Sequence, residues 1–306
     1  ILFLNRRGFA PSLLCEACGK VVECPSCAVA LTLHRHGRAR LSCHYCDHAV
    51  PLMERCPGCG SGRLSEEGAG TERIEQALSE AFPAGRIARL DRDVAAGAKS
   101  EKVLDRMRRR EIDILVGTQM VTKGHDLPDV TLVGVLNADA ALAMPDFRAA
   151  ERAFHLLVQV AGRAGRGDVP GKVLIQTWQP EHPAVALAAH HDVERFVVRE
   201  LEDRRELGYP PYRRMALVRV DSADEARARD AAERLAQIAR KSAGPRVDVL
   251  GPAPAPLPRQ RNRYRFRFMV RSAERALMRP VLLAVARTAV DRAVRVVIDI
   301  DPVNML

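Results

Sequence analysis

The chain has 306 residues, 47% hydrophobic and 28% charged, the composition of an ordinary globular protein of about two domains. No apolar run approaches the roughly 18 residues a membrane-spanning helix needs, and Ile1-Leu2-Phe3-Leu4-Asn5 lacks the basic start and long apolar stretch of a signal peptide. The formal charge is +10, and only six of the 48 basic residues are lysine, leaving 42 arginines. Arginine suits bidentate phosphate contacts, so the excess favours a polyanionic partner, most simply nucleic acid; general solubility is the plainer reading of the same number.

Residues 1–13 read as a strand followed by the basic turn Arg6-Arg7-Gly8. With no initiator Met, the strand looks cut in mid-domain and the chain reads as part of something larger. Residues 14–65 hold all eight cysteines and show no sustained apolar period. A disulfide-stapled secreted protein spreads its cysteines through the fold, so their confinement marks a metal module inside a cytosolic chain.

From Gly68 onward, helix and strand alternate. Helices are expected over 71–81, with Thr71 as cap and Ile74, Ala77, Leu78 and Ala81 as the apolar stripe, and over 99–110 and 147–164. Strands are expected over 86–91, 113–118, 130–137 and 172–178. This order implies a parallel sheet with helices on both faces, an α/β fold. Ligands of such sheets gather in the loops after the strand ends, so the loops after Thr118, Asn137 and Ala164 come first. Residues 180–207 read as a helical connection, and Pro210-Pro211 marks a boundary.

Beyond that boundary, strands at 214–220, 247–250, 263–270 and 295–300 and helices at 223–241 and 272–290 give the order βαββαβ, a small α+β domain. The stretch Gly251 to Pro258, with four prolines, reads as a stiff extended link between the two central strands. The domains are thus 1–13 with 66–207, the Cys-rich insertion 14–65, and 208–306. Arg263-Tyr264-Arg265-Phe266-Arg267-Phe268 alternates strictly, with the aromatics on a core face and the arginines roughly 6.7 Å apart on the other. We read Arg263, Arg265 and Arg267, extended by Arg259 and Arg261, as an anion-binding row for DNA or an acidic tail. A solvated basic face is the plainer alternative.

The cysteines form four Cys-x-x-Cys pairs, eight thiolates for two tetrahedral zinc ions. Five residues separate Cys18 from Cys24, a tight closure, whereas fifteen separate Cys27 from Cys43. Gly19 and Gly60 follow the outer pairs, Ala28 and Asp47 the inner ones. Matching knuckles suggest matching partners, hence a nested arrangement: Cys15, Cys18, Cys56 and Cys59 on one zinc, and Cys24, Cys27, Cys43 and Cys46 on the other. All-thiolate sites leave no position for water, so the role is structural. Arg35, Arg38 and Arg40 would balance a formal charge of about −2 per site; His34, His36, His44 and His48 read as surface histidines. A redox role for the pairs is the competing reading, but no thioredoxin-like βαβ context surrounds them.

In Gln159-Val160-Ala161-Gly162-Arg163-Ala164-Gly165-Arg166, two arginines three apart in a Gly-rich turn offer two cations to one small anion, as phosphoryl transfer requires. The strand 114–118 runs into Gln119-Met120-Val121-Thr122-Lys123-Gly124-His125-Asp126. With Asn5-Arg6-Arg7-Gly8-Phe9-Ala10-Pro11, Asp91-Arg92-Asp93, Asp146-Phe147-Arg148-Ala149-Ala150-Glu151-Arg152, Asp299-Ile300-Asp301-Pro302 and the four Cys pairs, the whole chain resembles the second RecA-like lobe and C-terminal domain of the PriA family of superfamily 2 DNA helicases.

The resemblance implies roles. Arg163 and Arg166 would reach the γ-phosphate across the cleft between lobes, with Gly162 lining it and Gln159 coupling nucleotide to DNA. Thr118 and Lys123 would face DNA; Gly124 and Asp126 would line the nucleotide cleft. It implies ATP with Mg as cofactor of the complete protein, 3′ to 5′ unwinding of forks, D-loops and single strands, and primosome assembly. The implied partners are single-strand-binding protein and helicase-loader proteins, in the bacterial cytoplasm at the nucleoid. The chain has no Gly-x-x-x-x-Gly-Lys-Ser/Thr loop, and Asp224-Glu225, which imitates a metal-binding acidic pair, opens a helix as a cap. The chain alone is therefore expected to hydrolyse no ATP. A non-catalytic DNA-binding scaffold is the alternative.

Overall fold

The computed structural model describes residues 1–4, 12–25, 29–34, 39–43, 46–66, 71–90, 98–118, 127, 129–165 and 169–305. The first strand, β1 (Leu2–Leu4), leads into the Cys-rich segment with β2 (Leu13–Cys15), β3 (Thr32–His34), β4 (Arg40–Ser42), β5 (Ala49–Pro51) and β6 (Leu64–Glu66). There follow α1 (Thr71–Ala81), β7 (Ile87–Leu90), α2 (Ala98–Arg108), β8 (Ile114–Gly117), β9 (Leu132–Leu136), α3 (Asp139–Leu142), α4 (Ala149–Ala161) and β10 (Lys172–Ile175). Two helices, α5 (Pro183–Ala189) and α6 (Val193–Leu207), complete the lobe.

The lobe sheet has the order β10-β9-β1-β8-β7 and every pairing is parallel. Its central strands carry consecutive apolar residues instead of an alternation, as strands covered on both faces must: Leu115 and Val116 of β8 and Val133 and Val135 of β9 are buried. Phe154 of α4 stacks on Phe196 of α6 at 4.0 Å, so the helical connection packs back on the lobe as two helices. Asp192 caps α6 by accepting from the Arg195 amide at 3.1 Å, and Gly208, at φ 65, ends it in the left-handed conformation.

The C-terminal domain runs β11 (Arg214–Ser222), α7 (Glu225–Ser242), β12 (Asp248–Gln260), β13 (Arg263–Ser272), α8 (Arg275–Arg287) and β14 (Val294–Ile300). Its antiparallel sheet has the order β12-β13-β11-β14. Asp224 is the cap of α7, accepting from the Arg227 amide at 3.0 Å. The proline-rich stretch corrects an expectation: it is no link but the greater part of β12, a 13-residue strand with two register shifts. Proline lacks the ladder donor, so this strand can only be an edge.

The two faces of this sheet carry different cores. Val218, Phe266, Phe268 and Val270 pack under α7 and α8. Met215, Leu217 and Met269, on the other face, pack on Val22, Leu31, Leu33 and Leu41 of the Cys-rich segment. That segment therefore shares a core with the C-terminal domain, although it is inserted in the lobe. Its ends meet where β2 pairs with β6, Cys15 opposite Leu64, so it leaves and re-enters the lobe at one point.

Candidate functional site

The first cysteine of each of the four Cys-x-x-Cys pairs makes the same backbone bond. The amide of the first cysteine donates to the carbonyl five residues on: Cys15 to Lys20 at 3.0 Å, Cys24 to Val29 at 2.9 Å, Cys43 to His48 at 2.7 Å and Cys56 to Ser61 at 2.8 Å. The residue after the second cysteine adopts positive φ at Gly19 (71°), Gly60 (73°) and Asp47 (64°), which is why glycine and a short carboxylate residue stand there. At Gly19 a side chain would also collide with the carbonyl of Trp178, so this knuckle is seated against the lobe.

These turns bring the outer pairs together. The sulfurs of Cys15, Cys18, Cys56 and Cys59 lie within 4.8 Å of one another, as do those of Cys24, Cys43 and Cys46. Cys27, like Arg35, Arg38, His36 and His44, lies outside the described residues. The Sγ separations are 3.6 Å for Cys15–Cys59, 3.7 Å for Cys18–Cys56 and 3.6 Å for Cys24–Cys46. A disulfide needs about 2.05 Å. A tetrahedron with metal–sulfur bonds of about 2.3 Å has edges of about 3.8 Å, so the donor set fits zinc in both type and spacing.

The charges of the outer cluster argue the same way. Burial raises the Cys15 thiol, but the amides of Cys18 and Ala17 and the thiols of Cys59 and Cys18 outweigh it and hold it at about 7. The Ser61 amide favours the Cys59 thiolate, yet Cys18, burial, Cys15 and Cys56 push that thiol up to about 12. Four sulfurs this close ionise together only around a cation.

In the lobe, α4 delivers Gln159, exposed, and Arg163, half-buried, to its C-terminal turn. The Gly162 amide closes the helix on the Val158 carbonyl at 3.0 Å, and the Gly165 amide donates to the Val130 carbonyl at 3.0 Å. Gly165 has φ 73, and a side chain on Gly171 would collide with its amide, so the turn lies flush against the strand that follows. This position corrects an expectation. Val130 precedes β9, so the turn after Ala164 sits at the amino edge of the parallel sheet, whereas Thr118 and Asn137 follow β8 and β9 at the carboxyl edge. The loop follows a helix antiparallel to the strands, and the rule for strand ends does not reach it. Lys123, Gly124, Asp126 and Arg166, with 5–11 and 91–93, lie outside the described residues.

The carboxyl edge near Asn137 is stitched shut. Buried Asp139 accepts from Thr177 Oγ1 and the Trp178 amide, each at 2.9 Å, tying the end of β9 to that of β10.

The arginine row is corrected in part. The aromatics do face the helix-covered core. Arg267, however, is only 2% exposed, on the face where Met269 packs on the Cys-rich segment. Arg263 is held by the Asp221 carboxylate and donates to the carbonyls of Asp221 at 2.9 Å and Ala293 at 3.2 Å. Arg265 donates to Gln260 at 2.9 Å, and burial, then the neighbouring Arg219, lowers its pKa. The uncovered end forms a basin of about 290 Å³ lined by Arg219, Arg261, Arg263, Arg265 and Arg295, with Asp221 its one carboxylate. Arg219 and Arg295 come from β11 and β14, and only the register of those strands reveals them.

Three family profiles match this chain. Residues 205–303 match the primosomal protein N C-terminal domain, 69–168 the helicase conserved C-terminal domain, and 24–51 the PriA DNA helicase Cys-rich region (CRR) domain. The chain is 42% identical over 312 residues to the replication restart protein PriA of Bacillus subtilis and 42% over 311 residues to that of Treponema pallidum. It is 36% identical over 308 residues to that of Haemophilus influenzae. Each match covers 100% of this chain and 38%, 47% and 42% of the respective relative.

Fold and site together define a helicase C-terminal lobe that carries a zinc-binding Cys-rich region and an antiparallel C-terminal domain. The turn at the end of α4, the cysteine clusters and the second domain lie in one chain that spans less than half the length of the relatives it matches. The chain belongs to the PriA family of replication restart proteins.

Proposed function

We propose that the chain serves as the second motor lobe and C-terminal domain of an ATP-dependent 3′ to 5′ DNA helicase that restarts stalled replication. In this reading Arg163 and Arg166 stabilise charge on the transferring phosphoryl group bound by another lobe, and Gly162 leaves room for it. Gln159, one helical turn before Arg163, couples that event to DNA. Thr118 and Lys123 hold the strand, while Gly124 and Asp126 line the nucleotide side. ATP with Mg belongs to the complete protein. The observation that carries this reading is α4, which ends in an arginine turn fixed to the segment just before β9 by the Gly165–Val130 bond at 3.0 Å within a helicase-type sheet.

Each Cys quartet holds one zinc ion: Cys15, Cys18, Cys56 and Cys59 the first, Cys24, Cys27, Cys43 and Cys46 the second. Zinc supplies cross-linking there, with no open position for chemistry. DNA, at forks, D-loops and single strands, is gripped through the basin of Arg219, Arg261, Arg263, Arg265 and Arg295, with Arg267 serving as support. Single-strand-binding protein, primosome proteins and helicase loaders are the protein partners. In the complete protein, Arg163→Ala should lower DNA-stimulated ATP turnover by about 10³-fold or more while fork binding persists. A complete protein without DNA-stimulated turnover would leave only the scaffold reading.

A further inference from the structure

The chain has one tryptophan, Trp178, and it stands 52% exposed. Tryptophan is highly buried on average, so a half-exposed ring asks for a reason. Trp178 lies just past the end of β10, at the carboxyl edge of the lobe sheet. Its main chain is firmly held. The Trp178 amide and Thr177 Oγ1 each donate to buried Asp139 at 2.9 Å, and the Ala138 amide donates to the Gln176 carbonyl at 3.0 Å. On the other side the Trp178 carbonyl abuts the knuckle of the outer cysteine cluster, where a side chain on Gly19 would collide with it. A fixed backbone under an exposed aromatic residue suits stacking, because little freedom is lost when a ligand settles on the ring.

Two neighbours say what that ligand is. Lys20, exposed and next to Gly19, brings a cation to the same knuckle, with the Glu23 carboxylate near enough to interact with it. Thr118 follows β8 at the same carboxyl edge, and the strand order β10-β9-β1-β8 sets it three strands from Trp178. At about 4.8 Å per strand the separation is about 14 Å, within reach of a short oligonucleotide.

We propose that Trp178 is a stacking platform for a base of single-stranded DNA that runs along the carboxyl edge from Thr118 to the outer cysteine knuckle, where Lys20 takes a phosphate. This platform presupposes the motor reading, in which Thr118 holds the strand, and adds a residue that grips a base. Every base has a π-face, so stacking is indifferent to sequence, as a motor that must pass all bases requires. Paired bases turn their faces to one another, so the ring selects single strands over the body of a duplex. The rival occupant is an apolar protein segment that covers Trp178 together with exposed Leu132 and Leu174. Such a segment has no use for Lys20.

As the one tryptophan, Trp178 reports its own contact by fluorescence. Oligothymidylate of about ten nucleotides, titrated into the 306-residue chain, should quench the emission, whereas a wholly abasic strand of the same length should not. By anisotropy of labelled oligothymidylate, Trp178→Ala should lose about tenfold in affinity and Trp178→Phe much less, each melting like the parent. The complete protein should show the same order. Binding without quenching, equal quenching by the abasic strand, or undiminished affinity of Trp178→Ala in the complete protein would remove the platform and leave the motor reading standing. So would a complete protein, carrying Trp178 as its single tryptophan, that shields it from acrylamide before DNA is added. A complete protein that binds no single strand would overturn both.

Discussion

The backbone N–H of Met305 donates to Asp146 Oδ2 at 3.2 Å, joining residues 159 positions apart. Asp146 is fully buried, pairs with Arg152 at 2.9 Å and accepts from the Arg148 amide at 3.0 Å. Arg148 and Arg152 in turn donate to the Val303 carbonyl at 3.0 and 2.8 Å. Next to it Phe147 stacks on Tyr209 at 4.9 Å. The segment from Asp146 to Arg152 thus clasps the end of the C-terminal domain at one end of α4, and Arg163 leaves from the other.

Removing the buried carboxylate leaves the Met305 amide without its acceptor and Arg152 with the Val303 carbonyl alone. Asp146→Ala should cost about 2 kcal/mol, discounted from the buried-pair range because Arg152 is 36% exposed. Denaturant unfolding measures the cost, and hydrogen exchange at 303–305 should quicken selectively. Unchanged exchange there would show that the clasp does not hold the end of the chain.

The cysteine clusters predict about two zinc ions per chain by elemental analysis. Cys56→Ser should release one ion and leave the other, because Cys56 groups with Cys15, Cys18 and Cys59 and not with Cys24, Cys43 and Cys46. Loss of both ions, or none, would break the nested assignment. Chelation of both should also loosen Met215, Leu217 and Met269, which share a core with Val22, Leu31 and Leu41. A rise in apolar-dye binding reports that exposure.

How much of this is legible in the sequence follows from the range of each signal. The Cys-x-x-Cys knuckles are local, so their turns and the glycines after them can be read directly. The nested pairing rests on matching knuckles, and the strand pairing that sets Cys15 opposite Leu64 supplies its physical reason: the insertion starts and ends at one point. The alternating strand 263–268 shows its two faces but not what covers them. Arg267 is 2% exposed, and Met269 on the same face packs on residues more than two hundred positions earlier in the chain, which no local pattern encodes. The same holds for Asp146, whose partner in the C-terminal segment is invisible to periodicity. Pro252 to Pro258 reads as a link because proline disfavours strands in general, whereas an edge strand tolerates it.

The burial of Arg267 separates two kinds of arginine in that row. Arg267→Glu should unfold the C-terminal sheet, a carboxylate at this 2% exposed position having little water and a misplaced charge. Arg295→Glu and Arg261→Glu, on the basin, should leave the melt unchanged and weaken single-stranded DNA binding. The slope of log affinity against log salt should become shallower by about one for each phosphate that is no longer neutralised. Equal DNA affinity in both basin variants would reduce the basin to surface.

His182 gives a dependence on pH. Its Nδ1 accepts from the Ala184 amide at 3.1 Å and caps α5, which requires the neutral ring. Burial lowers its pKa from the usual 6.5, against the opposing pull of the Asp139 and Asp203 carboxylates. The unfolded chain therefore takes up the proton first. The contribution of His182 to stability is complete above 6.5 and declines as the pH falls from there toward the lower folded value. His182→Asn keeps a capping oxygen and does not titrate. Between about pH 8 and pH 5, hydrogen exchange in α5 should accelerate in the parent and much less in this variant, the difference cancelling any loss of metal common to both. Identical pH profiles for the two chains would mean that the cap is made without regard to the proton on His182.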